Sequence, residues 1–191
     1  MMVVRPPEFR DIAGVYRVCD ETGPATTNPD LLGHVWAGPY LDALPGFARV
    51  LADEHGIAGY VLGCPDTRAF EAWCEAEWWP PLREQYPRGS GDPTTADASL
   101  IEHLHDPPRT PDDLLEAFPA HLHIDLLPRA QGHGHGRALM EWVFGAMHDG
   151  GARGVHLGVS ADNTNAIAFY RHLGFAVASG DDDGILMTRA L

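Results

Sequence analysis

The chain of 191 residues lacks three things that would settle its class at once. No apolar run approaches the length of a membrane span. There is no excess of basic charge: 13 Lys and Arg face 27 Asp and Glu, a net charge of −14. Nucleic-acid binding needs basic patches, so that partner class is excluded. Cysteine is scarce and unpaired in pattern. Cys19, Cys64 and Cys74 are odd in number and far apart, with no C-x-x-C, which suits free thiols in a reducing compartment. The N-terminal Met-Met-Val-Val-Arg-Pro-Pro has no basic region followed by an apolar core, so a cytoplasmic location with no membrane attachment is expected. Apolar content of 45% and charged content of 21% are ordinary for a globular chain, and the length suits one domain over 1–191. Self-association into a homodimer is left open.

The most informative stretch is His121–Met140. Leu122, Ile124 and Leu126 alternate with His121, His123 and Asp125, the period of a strand. Pro128 ends it. Gly132, Gly134 and Gly136 follow within one short loop before a helix expected over 137–148. Such a loop lets backbone N–H groups converge. A helix N-terminus adds its own free N–H groups and the positive end of its dipole. The combination is a site for phosphate or pyrophosphate. It is not a Walker loop, since no Gly-Lys-Ser/Thr is present, and Gly132-His-Gly134-His-Gly136 does not have dinucleotide-fingerprint spacing.

Two segments, in order, carry a family resemblance. Gln131-Gly132-His133-Gly134-His135-Gly136 matches the acyl-CoA loop of the Gcn5-related N-acetyltransferases. Asn163-Thr-Asn-Ala166-Ile-Ala-Phe169-Tyr170-Arg-His-Leu-Gly174-Phe175 matches their second motif. The resemblance implies an α/β (α+β) acyltransferase fold, with a mixed, mostly antiparallel central sheet flanked by helices and split near its middle. It implies acetyl-CoA as acetyl donor and direct transfer to a small-molecule or peptide amine. The rival it leaves open is an acetyl-CoA-binding module with little or no activity.

The rest of the chain is read around this core. A strand is expected at 2–5, a helix at 8–20, and helical pieces at 30–36 and 39–43. Strands at 47–52 and 57–62 are joined by the Asp53–Gly56 turn. Loop 22–29 is a candidate acceptor contact by the resemblance. Residues 64–120 form an insertion far longer than an ordinary connection. Within it, helical spacing of Phe70, Trp73, Cys74 and Trp78 predicts a helix over 66–79, ended or kinked at Pro80-Pro81. Two further helices are expected at 99–105 and 111–118. The Trp-rich stripe reads first as packing and second as the lining of an acceptor pocket. This helical insertion resembles the one in the C-terminal acetyltransferase-like domain of O-GlcNAcase and its stand-alone bacterial relatives. Strands at 155–160, 175–178 and 184–190 and a helix capped by Asp162 or Asn163 complete the reading. The last two strands are joined by a turn over 180–184.

The resemblance assigns chemistry to particular residues. A backbone N–H at a splayed bulge of the central strand, that of Leu126 or Leu127, would polarise the thioester carbonyl. Tyr170 would protonate the departing thiolate: its pKa of about 10 keeps the phenol protonated at neutral pH, yet lies close enough to that of a thiol, about 8.5, for the proton to pass to it. The alternative for Tyr170 is packing. Gln131, Gly132, His133, Gly134, His135, Gly136 and Arg137 would line the CoA diphosphate, with Asn163, Ala166 and Phe169 beside them. Asn163 also reads as a helix cap. An amine must lose a proton to react, and Asp125 is the first candidate acceptor, with His123 and His121 as alternatives. CoA is polyanionic, so the amides, with Arg129 and Arg137, would have to overcome the acidic field. That field would favour a cationic amine, or serve only solubility. His-Leu-His and His-Gly-His invite a metal, but no Cys or carboxylate cluster completes a ligand set, so none is expected.

Overall fold

The computed structural model describes residues 1–182 and 184–191. The strands are β1 (Val3–Arg5), β2 (Ala48–Asp53), β3 (Gly56–Cys64), β4 (Ala120–Leu126), β5 (Gly154–Ser160), β6 (Ala176–Gly180) and β7 (Gly184–Ala190). They form one sheet in the order β1-β2-β3-β4-β5-β7-β6. Every neighbouring pair is antiparallel except β4 and β5. The expected turn over 180–184 includes Asp183, which lies outside the described residues.

Alternation along the strands divides the core in two. Val50, Tyr60, Leu62 and Cys64 face α1 (Ile12–Thr22), α2 (Leu31–Trp36) and α3 (Gly38–Ala43). Leu51, Ala58, Val61 and Leu122 face α8 (His135–Asp149), through Leu139, Met140, Val143 and Met147. Each buried aliphatic side chain contributes about 1.5–3 kcal/mol, so both faces hold the sheet. α9 (Thr164–His172) follows β5. Cys19, Cys64 and Cys74 are free and buried.

The insertion joins the first of these two cores. It carries α4 (Thr67–Trp73), α5 (Trp79–Gln85), α6 (Asp97–His105) and α7 (Asp112–Ala117) between β3 and β4. Phe70, Cys74, Trp79, Leu82, Leu100, Ile101 and Leu104 pack with Val15, Val18 and Leu31. Of the two outcomes expected at Pro80-Pro81, an end or a kink, the helical run does not end but is locally distorted. Residues Cys74–Trp78 widen into a π turn, in which the Trp79 N–H bonds back to the Cys74 carbonyl. The prolines then occupy the first turn of α5, where their missing N–H groups cost little. Loop 22–29 is tied to the insertion: the Thr27 N–H and hydroxyl both donate to buried Asp97, and the Ala96 N–H donates to Ala25 O at 3.0 Å.

Candidate active site

The β4–β5 ladder covers only Ala120↔Val155 and His121↔His156. Beyond that point the two strands part. The β3–β4 register runs unbroken from Cys64↔His121 to Gly59↔Leu126. The opening therefore comes from lost β4–β5 pairing, not from a bulge in β4, which corrects the expectation of a bulge.

The same register separates Leu126 from Leu127. The Leu127 N–H donates to Ala58 O at 2.8 Å and is occupied. Alternation in an antiparallel ladder then turns the Leu126 N–H to the other edge, toward the opening. The Leu126 carbonyl is held by Gln131, whose side-chain amide donates to it at 2.8 Å. Gln131 thus fastens the glycine loop to the end of β4.

A short 3-10 turn over Pro128–Ala130 leads into that loop. Gly132 has φ +77° and Gly134 φ +82°, a left-handed conformation that costs other residues about 1–2 kcal/mol. Gly134 is the N-cap of α8, so the helix starts at His135, two residues earlier than expected. The amides of Gly132, His133, Gly134, His135, Gly136 and Arg137 make no hydrogen bond to the described residues. They run from the loop into the first turn of α8, at the positive end of a 15-residue helix. Gly136 serves close packing instead. A Cβ there would lie 3.2 Å from Leu126 Cδ1 and 3.3 Å from Phe169 Cζ. The first turn of α8 can therefore sit directly on β4 and α9. His133 and His135 stand with rings 6.3 Å apart. Arg137 is exposed and 3.5 Å from Glu141. Arg129 does not serve the loop, because it donates to Asp53 at 2.9 Å and to Ile57 O at 3.1 Å.

α9 brings the second motif to the opening. Asn163 caps it, accepting from the Ala166 N–H at 3.0 Å, so the cap role holds. Tyr170 packs its ring against Phe169 and Phe175. Its hydroxyl bonds to none of the described residues, yet it is not sealed from solvent. Burial, with the nearby Asp125 charge, raises its pKa, so the phenol stays protonated at neutral pH.

Asp125 accepts a short hydrogen bond from the Tyr60 hydroxyl on the α1 side of the sheet. Burial raises its pKa, opposed by hydrogen bonds from Tyr60 and Thr22. Asp125 does not line the adjoining cavity of about 480 Å³; His121, His123, His156 and His103 do. Phe70 and Cys74 of the tryptophan-rich stripe reach that cavity, with Trp79, Trp36 and Tyr40. Trp73 and Trp78 stack on one another instead, and Trp78 donates to His34 O at 2.9 Å. Part of the stripe thus packs and part lines the cavity. Loop 22–29 does not line the cavity. Tyr40 and Thr67 were missed as site residues: Tyr40 meets His121 across 81 positions of sequence, and no local pattern marks such a contact. No group of three or more His, Cys, Asp or Glu among the described residues is placed to hold a metal.

A sheet opened between two parallel neighbours, with an amide-lined glycine turn at the opening, defines the acyltransferase class of α/β fold. Residues 98–175 match the model of the acetyltransferase (GNAT) family. The crystal structure of SsHAT is 37% identical and superposes with a TM-score of 0.89, covering 99% of this chain and 98% of that one. The chain belongs to the GNAT family of acetyltransferases. It is also 29% identical over 200 residues to the protein O-GlcNAcase of Rattus norvegicus, matching 98% of this chain. The match spans only 22% of that longer protein's length. The acetyltransferase-like yncA of Salmonella typhimurium, solved with its cofactor acetyl-CoA, shares the fold at 15% identity, with a TM-score of 0.60 over 100% of this chain and 94% of that one. No helix among the described residues is long and apolar enough to cross a membrane.

Proposed function

We propose that the chain, acting as one domain over 1–191, is an acetyl-CoA-dependent N-acetyltransferase that passes an acetyl group directly to a bound amine. The observation that carries this is the run of unpaired amides from Gly132 to Arg137 beside the parted strands. When bound, acetyl-CoA supplies an activated thioester. The loop amides and the N-terminus of α8 offset the charge of its diphosphate. This local field acts at hydrogen-bond range, whereas the net charge of −14 is screened within about 8–10 Å. The Leu126 N–H stands where it can donate to a developing oxyanion. Tyr170 donates a proton to the departing thiolate. In this reading His133, His135, Arg137, Asn163, Ala166 and Phe169 contact the bound CoA.

One observation favours the rival reading of a binding module without transfer: the Asp125 carboxylate is engaged by Tyr60 and stands off the cavity. Calorimetric titration with acetyl-CoA, followed by a thiol-release screen over amines, separates the two. Binding with turnover supports the transferase. Binding without turnover supports the module, and no binding removes both.

A further inference from the structure

The cavity beneath the insertion contains a hydrogen-bond chain whose proton positions follow from one fixed point. The Thr67 hydroxyl lies 2.7 Å from the Pro119 carbonyl. A carbonyl only accepts, so the Thr67 proton points to it. His121 Nδ1, 2.6 Å from the same hydroxyl, must then be the N–H that donates to it. In a neutral imidazole the other nitrogen is bare, so His121 Nε2 accepts from the Tyr40 hydroxyl at 2.7 Å. Tyr40 has spent its one proton and can only accept from His123 Nε2, at 3.0 Å. His123 is left with its lone pair on Nδ1. That nitrogen has no partner among the described residues and is not sealed. His123 lines the cavity where β4 and β5 part. Burial, with His121, His103 and His156 nearby, keeps these imidazoles neutral; His123 is lowered to about 4. His156 donates Nδ1–H to Phe118 O at 2.8 Å, so its Nε2 is a second bare acceptor on the same wall.

The walls say what body the ligand has. Trp36, Tyr40, Phe70 and Trp79 supply aromatic faces. The carboxylates of the lining are already taken: Glu71 by Arg68 and the Thr110 N–H, Glu75 by Arg83. Among the lining residues no unpaired carboxylate is left to hold a second ammonium. A volume of about 480 Å³ suits one small molecule.

Resting on the acetyltransferase reading above, we propose that this cavity is the acceptor site for a primary amine on a flat aromatic body, with His123 Nδ1 as the group that takes the amine proton. Tyr40, His121 and Thr67 are positioning residues that fix the His123 tautomer. In the transfer, the amine N–C bond forms and the thioester C–S bond breaks. The amine proton goes to His123 Nδ1, Tyr170 protonates the thiolate, and solvent carries the proton from His123 back to Tyr170. His123 does not have to deprotonate a solvated ammonium. The same desolvation that lowers its own pKa lowers that of the entering amine, and an amine nitrogen becomes acidic as it is acylated.

Nitrogen-15 spectra of the histidine rings test the tautomers without any turnover. At pH 7, His123 should show a pyridine-type Nδ1 and His121 a pyridine-type Nε2. Tryptamine should shift the His123 Nδ1 signal, and spermidine should not. Tyr40→Phe should leave His123 as a mixture of tautomers. In the transfer assay, His123→Ala should lower tryptamine turnover by about 10²–10⁴-fold, leave acetyl-CoA affinity unchanged, and be partly rescued by imidazole. A proton on His123 Nδ1, wild-type turnover in His123→Ala, or spermidine preferred over tryptamine would overturn the proposal. If acetyl-CoA binds and tryptamine does not, this inference fails alone. If acetyl-CoA does not bind, the acetyltransferase reading fails with it.

Discussion

Replacing Gly134 with Ala isolates the backbone geometry on which the loop depends. A methyl group at Gly134 would meet nothing within 4 Å, so sterics with neighbours are not at issue. The whole penalty is conformational, because φ is +82°, and an L residue there costs about 1–2 kcal/mol. That penalty has two outlets. If the loop keeps its shape, folding stability falls by the full amount. If the loop relaxes, stability is spared but the amides must be re-formed on binding, and the acetyl-CoA Kd rises by about 5–30-fold, at about 1.4 kcal/mol per tenfold. The sum of the stability loss and the binding loss should therefore be about 1–2 kcal/mol. Urea denaturation and calorimetry measure the two halves. Gly145→Ala is the control. Gly145 lies within the same helix, with open space around its Cβ and no positive φ, so alanine there should stabilise by up to about 1 kcal/mol. A Gly134→Ala protein with unchanged stability and unchanged affinity would refute the reasoning.

Other perturbations separate the remaining roles. Tyr170→Phe should slow transfer while leaving acetyl-CoA affinity nearly intact; a large loss of affinity would show a binding role instead. Asp125→Asn keeps an acceptor for the Tyr60 hydroxyl and removes a buried charge that burial disfavours, so transfer should persist and stability at pH 7 should not fall. Loss of transfer in that variant would restore Asp125 as the proton acceptor. Asp97→Ala removes the partner of both Thr27 donors and should cost about 1–3 kcal/mol of stability with little change in acetyl-CoA affinity. The histidines give a pH signature. His103, His121, His123 and His156 have lowered pKa values, so below about 6.5 the unfolded chain binds more protons than the folded one. Stability should fall as pH drops from 7 toward 4, measured by urea midpoints; a flat profile would contradict their burial.

The parts that sequence made legible are those written in short periods. β4 was readable because apolar and polar residues alternate from His121 to Leu126. The glycine loop was readable because Gly132 and Gly134 stand where φ must be positive. What could not be read depends on who pairs with whom across the fold. Leu126 and Leu127 are chemically alike, and only the β3 register shows that one N–H is taken and the other turned outward. Arg129 has the right charge for a phosphate loop, but Asp53 lies 76 positions away in sequence and claims it. Pro80-Pro81 reads as an end or a kink, and only the wider turn that forms before it shows that the helical run goes on. Asp125 was favoured as a carboxylate on the central strand. It is held by Tyr60 and stands off the cavity, whereas His121 and His123 line it, His121 bonded by Tyr40 and Thr67 from distant helices, contacts that no local pattern marks.

The central claim is that the amides of Gly132–Arg137 are the acetyl-CoA site, and amide spectra of labelled protein during an acetyl-CoA titration test it most directly. The expected result is saturable shifts largest at Gly132–Arg137, with smaller ones at Leu126, Asn163 and Tyr170. An unchanged spectrum, or shifts centred elsewhere while these amides stay still, would contradict it.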